Sequence, residues 1–112
     1  MPAKALTGAS AQTIVLSILD RSDAYGYQII NRVRDLSSGE VEWAAGSLYP
    51  LLHRMKADGY VDSFWVERKG ERRRRYYRIT PKGQKALDKE RREWMAVHRI
   101  FVQLWGIQPS LP

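Results

Sequence analysis

The chain has 112 residues, 44% hydrophobic and 28% charged, proportions that fit one folded domain with a modest core. It contains no cysteine, which excludes disulfides and thiolate metal sites. The net charge is +7, and residues 68–78 alone net +6, so a nearly neutral chain carries one positive element suited to a polyanionic partner, nucleic acid ahead of an anionic membrane surface.

The N-terminal stretch MPAKALTGASA lacks the apolar block of a secretory leader. No apolar run approaches the roughly 20 residues that span a bilayer, and the expectation is a cytoplasmic protein without a membrane partner. ASAQTIVLSILD reads as a first helix: Ile14, Val15, Ile18 and Leu19 share one face, and Ser10 is a reasonable cap. RSDAYG is a break. YQIINRVRDL carries Ile29, Ile30, Val33 and Leu36 at helical spacing, a second helix ended by SSGE. VEW, residues 41–43, is short and β-prone.

A third helix lies in AAGSLYPLLHRMKADGY. Ser47 can cap it, Pro50 is tolerated in a first turn, and Gly59 suits its end. Its apolar positions are Leu48, Leu51, Leu52 and Met55. VDSFWVER (61–68) and RRRYYRIT (73–80) are rich in β-branched and aromatic residues and flank KGER, a hairpin with a four-residue loop. Alternation puts Val61, Ser63 and Trp65 on one face and places Tyr77 with Ile79, opposite Tyr76 and Arg78. Tyr77 and Ile79 are expected to pack on the helices. Thr80-Pro81 starts a last helix that runs to about Trp105, ended by Gly106 and Pro109, with QPSLP as a frayed tail.

Three short helices, a two-stranded hairpin and a long helix make an α+β, mostly helical chain with the layout of a winged helix-turn-helix. Residues 1–80 form the DNA-binding unit and residues 81–112 a dimerisation helix and tail. In such a fold the third helix enters the major groove and the wing lies along the backbone or minor groove. On the third helix, Ser47, Tyr49, Pro50, His53 and Arg54 are the candidate DNA contacts, the alternative being a cap at Ser47 and packing at Tyr49. On the wing they are Lys69, Arg72, Arg73, Arg74 and Arg75, the alternative being a solvated basic hairpin. Arg78, beyond the tyrosines, is expected to matter less.

The last helix has a heptad seam: Leu87, Trp94 and Phe101, interleaved with Glu90, Val97 and Leu104. A stripe this long on so small a domain fits a twofold homodimer, which would read a pseudo-palindromic site on double-stranded operator DNA. Glu90 interrupts the seam as an opening, as an ion-pair partner for Arg91 or Arg92 of a second chain, or as a wet edge. His53 and His98 sit on different helices with no cysteine near, so no metal is expected. No catalytic set or phosphate loop is present, and neither an enzyme nor a cofactor is expected.

AYGYQIINRV, GSLYPLLHRMKADGYV and RRRRYYRITPKG, in this order and spacing, resemble the PadR family of transcriptional regulators over roughly residues 10–85. The resemblance implies a homodimeric winged helix protein that binds operator DNA, commonly as a repressor, and it adds Tyr27 and Gln28 as residues near the DNA backbone. The single C-terminal helix resembles the short subfamily, and AQTIVL and EWMAV are similar to segments of its multidrug-responsive members. That likeness implies a planar aromatic effector held between paired tryptophans at the dimer interface. Trp94 would be the stacking residue, with Val15, Ile18, Arg91 and His98 beside it. The competing reading is a winged-helix module that binds protein and has no specific DNA affinity.

Overall fold

The order of elements in the computed structural model is α1 (Ala3–Arg21), β1 (Ala24–Tyr25), α2 (Gly26–Leu36), α3 (Ala45–Ala57), β2 (Val61–Val66), β3 (Arg74–Ile79) and α4 (Pro81–Trp105). The structure describes residues 3–106, with side chains from residue 10 onward. The tail QPSLP, including the expected stop at Pro109, lies outside the described residues. Among the described residues no helix is long and apolar enough to cross a membrane.

The first helix begins at Ala3, so Ser10 lies inside it rather than at its cap. The alanine-rich AKALTGASA extends the helix backwards because alanine has the highest helix propensity. The buried face of α1 is Val15, Leu16 and Leu19, with Ile18 packed at its edge. α2 contributes Ile29 and Val33, while Leu36 at its end is exposed. α3 buries all four expected residues, Leu48, Leu51, Leu52 and Met55. Apart from Val33 and Leu36, these side chains meet Val61, Tyr77 and Leu87 in one core. Truncating a central residue such as Leu52 to alanine costs about 2–5 kcal/mol.

Ala44, not Ser47, occupies the N-cap of α3, and the Ser47 N–H bonds the Ala44 carbonyl at 3.0 Å. Pro50 therefore sits in the second turn and leaves the Gly46 carbonyl without its usual donor. Gly46 is exposed, which lets water satisfy that carbonyl. At the other end Gly59 takes φ +81°, and Tyr60 N–H bonds Met55 O at 2.9 Å while Gly59 N–H bonds Lys56 O at 3.0 Å. This paired arrangement turns the chain directly into β2.

Residues 41–43 form no strand. The Ser37 hydroxyl accepts from Val41 N–H at 2.9 Å, which holds the segment as a loop, and Trp43 packs against the core. The sheet has three strands, in the order β1-β3-β2, all antiparallel. The expected two-stranded wing is thus joined by β1, which pairs Ala24 with Tyr77 and Tyr25 with Tyr76. β2 pairs with β3 from Val61↔Ile79 to Val66↔Arg74, leaving residues 67–73 as the loop instead of KGER alone. Continuing that register would set Arg68 opposite Arg72, a like-charge pair that opposes further pairing. Instead the chain reverses through Gly70 at φ +80°, with Glu71 N–H bonded to Arg68 O at 2.9 Å. Tyr77 is buried and Ile79 packs on the core, as alternation predicts.

Thr80 ties the wing to the last helix. Its hydroxyl oxygen accepts from Gly83 N–H at 3.0 Å and its O–H donates to Gly59 O at 2.6 Å. Proline follows at the first helical position, where a missing N–H costs nothing. The first turns of α4 pack on α1 and β3, and Leu87 enters the core. Beyond them the helix projects outward: every residue from Arg91 to Phe101 is exposed.

Candidate nucleic-acid interface

A groove of about 580 Å³ opens between α3 and the wing. Tyr27 of α2, Tyr49 and His53 of α3, and Arg72 to Arg75 of the hairpin converge on it. These residues lie far apart in sequence. They meet because the helix-turn-helix pair seats α3 beside the distal end of the sheet's inner face. That face is Tyr77 and Ser63 near the core and Trp65 and Arg75 farther out. The aromatic wall therefore continues past the core into solvent.

Tyr49 is set by a close approach. Its hydroxyl rests against Gly26, and a Cβ there would overlap it. Partial burial raises the Tyr49 pKa above the ordinary value of 10.0, with smaller contributions from the Tyr77 and Tyr27 phenols. Tyr49 thus stays protonated and offers an O–H donor on the groove. Tyr27, 61% exposed, stands at the start of α2. Gln28 is exposed beside it, and its Oε1 accepts from Tyr25 N–H at 3.1 Å, closing the helix N-terminus. Neither α2 nor α3 has an acidic residue in its first turn, which keeps both positive helix ends uncompensated. Ser47, Pro50 and Arg54 are exposed on α3 outside the groove lining, as is Lys69 in the wing loop.

The wing arginines are held in distinct ways. Arg72 is exposed at the loop. Arg73 ion-pairs with Glu67 at 3.5 Å and lies 4.3 Å over the Trp65 ring. Arg74, on the opposite face, donates to the Tyr25 hydroxyl at 2.6 Å. Arg75 is half-buried and donates to Ser63 Oγ at 3.1 and 2.9 Å from two nitrogens. Arg78 sits on the outer face, 4.2 Å over Phe64 and 4.0 Å from Asp23, away from the groove. Three lining residues escape the sequence reading as site residues, among them Tyr77, which alternation marks only as a packing residue. Tyr25 lies in a two-residue strand too short to show a period. Trp65 shares the alternating face with Val61 and Ser63, which locates it without revealing that it lines a groove.

Two residues assigned to the effector site and the dimer seam lie inside the core of the single chain. Val15 is 0% exposed and Leu87 1% exposed within this chain's own core. In the single chain neither Val15 nor Leu87 offers surface to an effector or to a second copy. Both fall on the inner edge of an apolar stripe, and spacing alone does not separate that edge from an outer seam. Glu90 accepts from Gln12 Nε2 at 2.8 Å and from the Thr13 hydroxyl at 2.6 Å, so it is bonded to α1 of its own chain. Arg91 lies 3.9 Å from Asp20, and Ile18 is half-buried. Trp94, Val97, His98, Phe101 and Leu104 are exposed. Phe101 stacks on Trp105 with centroids 4.5 Å apart.

The model of the transcriptional regulator PadR-like family matches residues 15–89. That span runs from the middle of α1 into α4 and contains every residue lining the groove. Transcriptional regulator Rv3488 of Mycobacterium tuberculosis is 44% identical over 59 residues, 53% of this chain and 54% of that one. A transcriptional regulator from Clostridium thermocellum shares the fold with a TM-score of 0.78 at 31% identity, covering 88% of this chain and 95% of that one. A PadR family transcription regulator from Clostridium difficile does so with a TM-score of 0.76 at 28% identity, covering 87% and 99%. The chain belongs to the PadR-like family of transcriptional regulators, a family of DNA-binding proteins and not of enzymes.

Proposed function

We propose that this protein is a cytoplasmic, homodimeric repressor that binds a pseudo-palindromic operator through α3 and the wing. One observation carries the reading: a single groove joins Tyr49 and His53 of α3 to four consecutive arginines of the hairpin. Tyrosine and helix-end donors fix position on phosphates, and arginine both neutralises phosphate and reads guanine. The exposed stripe of α4, Trp94, Val97, Phe101 and Leu104, pairs two copies and so sets the spacing of two wings. A planar aromatic effector between the Trp94 rings, with Arg91 and His98 at its rim, releases the operator. Loss of tryptophan quenching by such compounds in Trp94→Ala tests that part. The chain has four tryptophans, so equal quenching in the variant removes Trp94 from the role.

The DNA reading is tested by mobility shift on the promoter of the protein's own gene across a range of salt. Replacing Arg72, Arg73 and Arg74 together by alanine weakens binding and flattens the salt dependence by about one unit per lost phosphate contact. Binding as tight as wild type at every salt concentration removes the wing from the interface.

A further inference from the structure

We infer that Trp65 is a positioning residue of the DNA interface, the platform on which Arg73 and Arg75 are laid out for contact. The inference rests on the reading of the groove as the DNA site. Trp65 is 53% exposed although it is the largest side chain on the inner face of β2. It lies outside the core cluster, so packing does not account for it. Its register partner on β3 is Arg75, whose guanidinium carbon is 5.8 Å from the Trp65 ring centroid. Arg73, one pleat farther out on the same side, is 4.3 Å from that centroid. All three residues line the groove that Tyr49 and His53 close from the other side.

Stacking uses the flat face of a guanidinium and leaves its in-plane N–H donors free. An arginine laid on Trp65 can therefore still donate two bonds to a phosphate or to a guanine edge. Arg73 has no ladder to hold it, since pairing stops at Val66↔Arg74. Without a platform, Arg73 is a long side chain at the end of an unpaired loop, and it must be ordered at the moment of binding. Ser63 supplies the second hold on Arg75 through two hydrogen bonds, whereas the second hold on Arg73 is a solvent-exposed ion pair with Glu67 at 3.5 Å, so Arg73 depends most on Trp65.

The test is a cycle of operator-binding measurements on Trp65→Leu, Arg73→Ala and the double variant, with Trp65→Phe and Arg73→Lys beside them. Leucine keeps apolar bulk and removes the ring. We expect Trp65→Leu to weaken operator binding about tenfold with no change in thermal midpoint, and Trp65→Phe to stay within about threefold of wild type. Arg73→Ala then costs little more when combined with Trp65→Leu, and Arg73→Lys, which keeps the charge and loses the flat face, falls between wild type and Arg73→Ala. Additive losses across the cycle overturn the inference, as does an Arg73→Lys protein that binds like wild type; the lysine arm decides even where Trp65→Leu does not fold. The triple arginine variant separates the two failures. If it binds normally, the groove reading itself falls; if it loses binding while Trp65→Leu does not, only the platform falls.

Discussion

The Tyr25 hydroxyl accepts a 2.6 Å hydrogen bond from Arg74, whose guanidinium carbon lies 4.5 Å from the Tyr25 ring centroid. One short strand thereby fastens the base of the wing to the N-terminus of α2, since Tyr25 also meets Tyr76 edge-on at 5.2 Å. Tyr25→Phe keeps the ring contacts and deletes the bond. The pair is exposed, so the expected loss of stability is about 0.5–1 kcal/mol in urea unfolding. Arg74 becomes free to move, and operator affinity falls severalfold. An unchanged operator affinity would show that Arg74 needs no fixed direction.

Much of this arrangement is legible in the sequence. The helix faces, the Thr80-Pro81 start, the Gly59 stop and the inward side of Tyr77 and Ile79 all follow from local period and cap chemistry. What escapes is contact over long separations. β1 exists only because β3 offers it an edge, and two residues carry no period. The position of Ser47 inside α3 depends on where the preceding loop docks, which Trp43 decides by packing on the core. Leu87 and Val97 look alike on a heptad wheel. Only the packing of α1 onto the first turns of α4 separates the inner edge of the stripe from the outer.

Two glycines mark close approaches of different kinds. At Gly83 a Cβ would run into the backbone carbonyl of Tyr60 and stand 2.8 Å from Ile79 Cγ1. Backbone cannot turn aside, so α4 must shift on the sheet, and Gly83→Ala is expected to lose about 1–3 kcal/mol in urea unfolding. At Gly26 the obstacle is the Tyr49 side chain, which is partly exposed and can swing out. Gly26→Ala is expected to cost less stability than Gly83→Ala and more operator affinity. The reverse ranking would mean that Tyr49 is a packing residue and not a DNA contact.

The raised pKa of Tyr49 gives a linkage prediction with a definite sign. Partial burial favours the neutral phenol in the folded state, so the folded pKa lies above the unfolded value of 10.0. The stability tied to this group is fully present below pH 10.0 and is lost as pH rises through the folded pKa. Phenylalanine has no such proton. The stability of wild type relative to Tyr49→Phe should therefore be constant from neutral pH to about 9 and decline above about pH 10. Urea midpoints of both proteins across that range measure it, and the comparison cancels the lysines and the tyrosines other than Tyr77 and Tyr27, whose coupling to Tyr49 acts in the same direction. A difference that grows with pH would place the ionised phenol in a favourable site.

The exposed stripe of α4 predicts its own disruption. Leu104 is 72% exposed in the single chain, and Val97, Ile100 and Phe101 are exposed beside it. If two copies pair along this stripe, Val97→Glu with Leu104→Glu places like charges from both chains in an apolar seam. Sedimentation should then give one chain mass in place of two. Affinity for a two-half operator should fall by about a hundredfold or more, because the second half-site contact is no longer tethered, while binding to a single half-site persists. Leu87→Ala is the contrasting variant. It removes a side chain buried in the chain's own core, so about 2–5 kcal/mol of stability goes without direct loss of a pairing contact. A double glutamate variant that stays dimeric would put self-association on another surface, and the wings would then need a different spacing on the DNA.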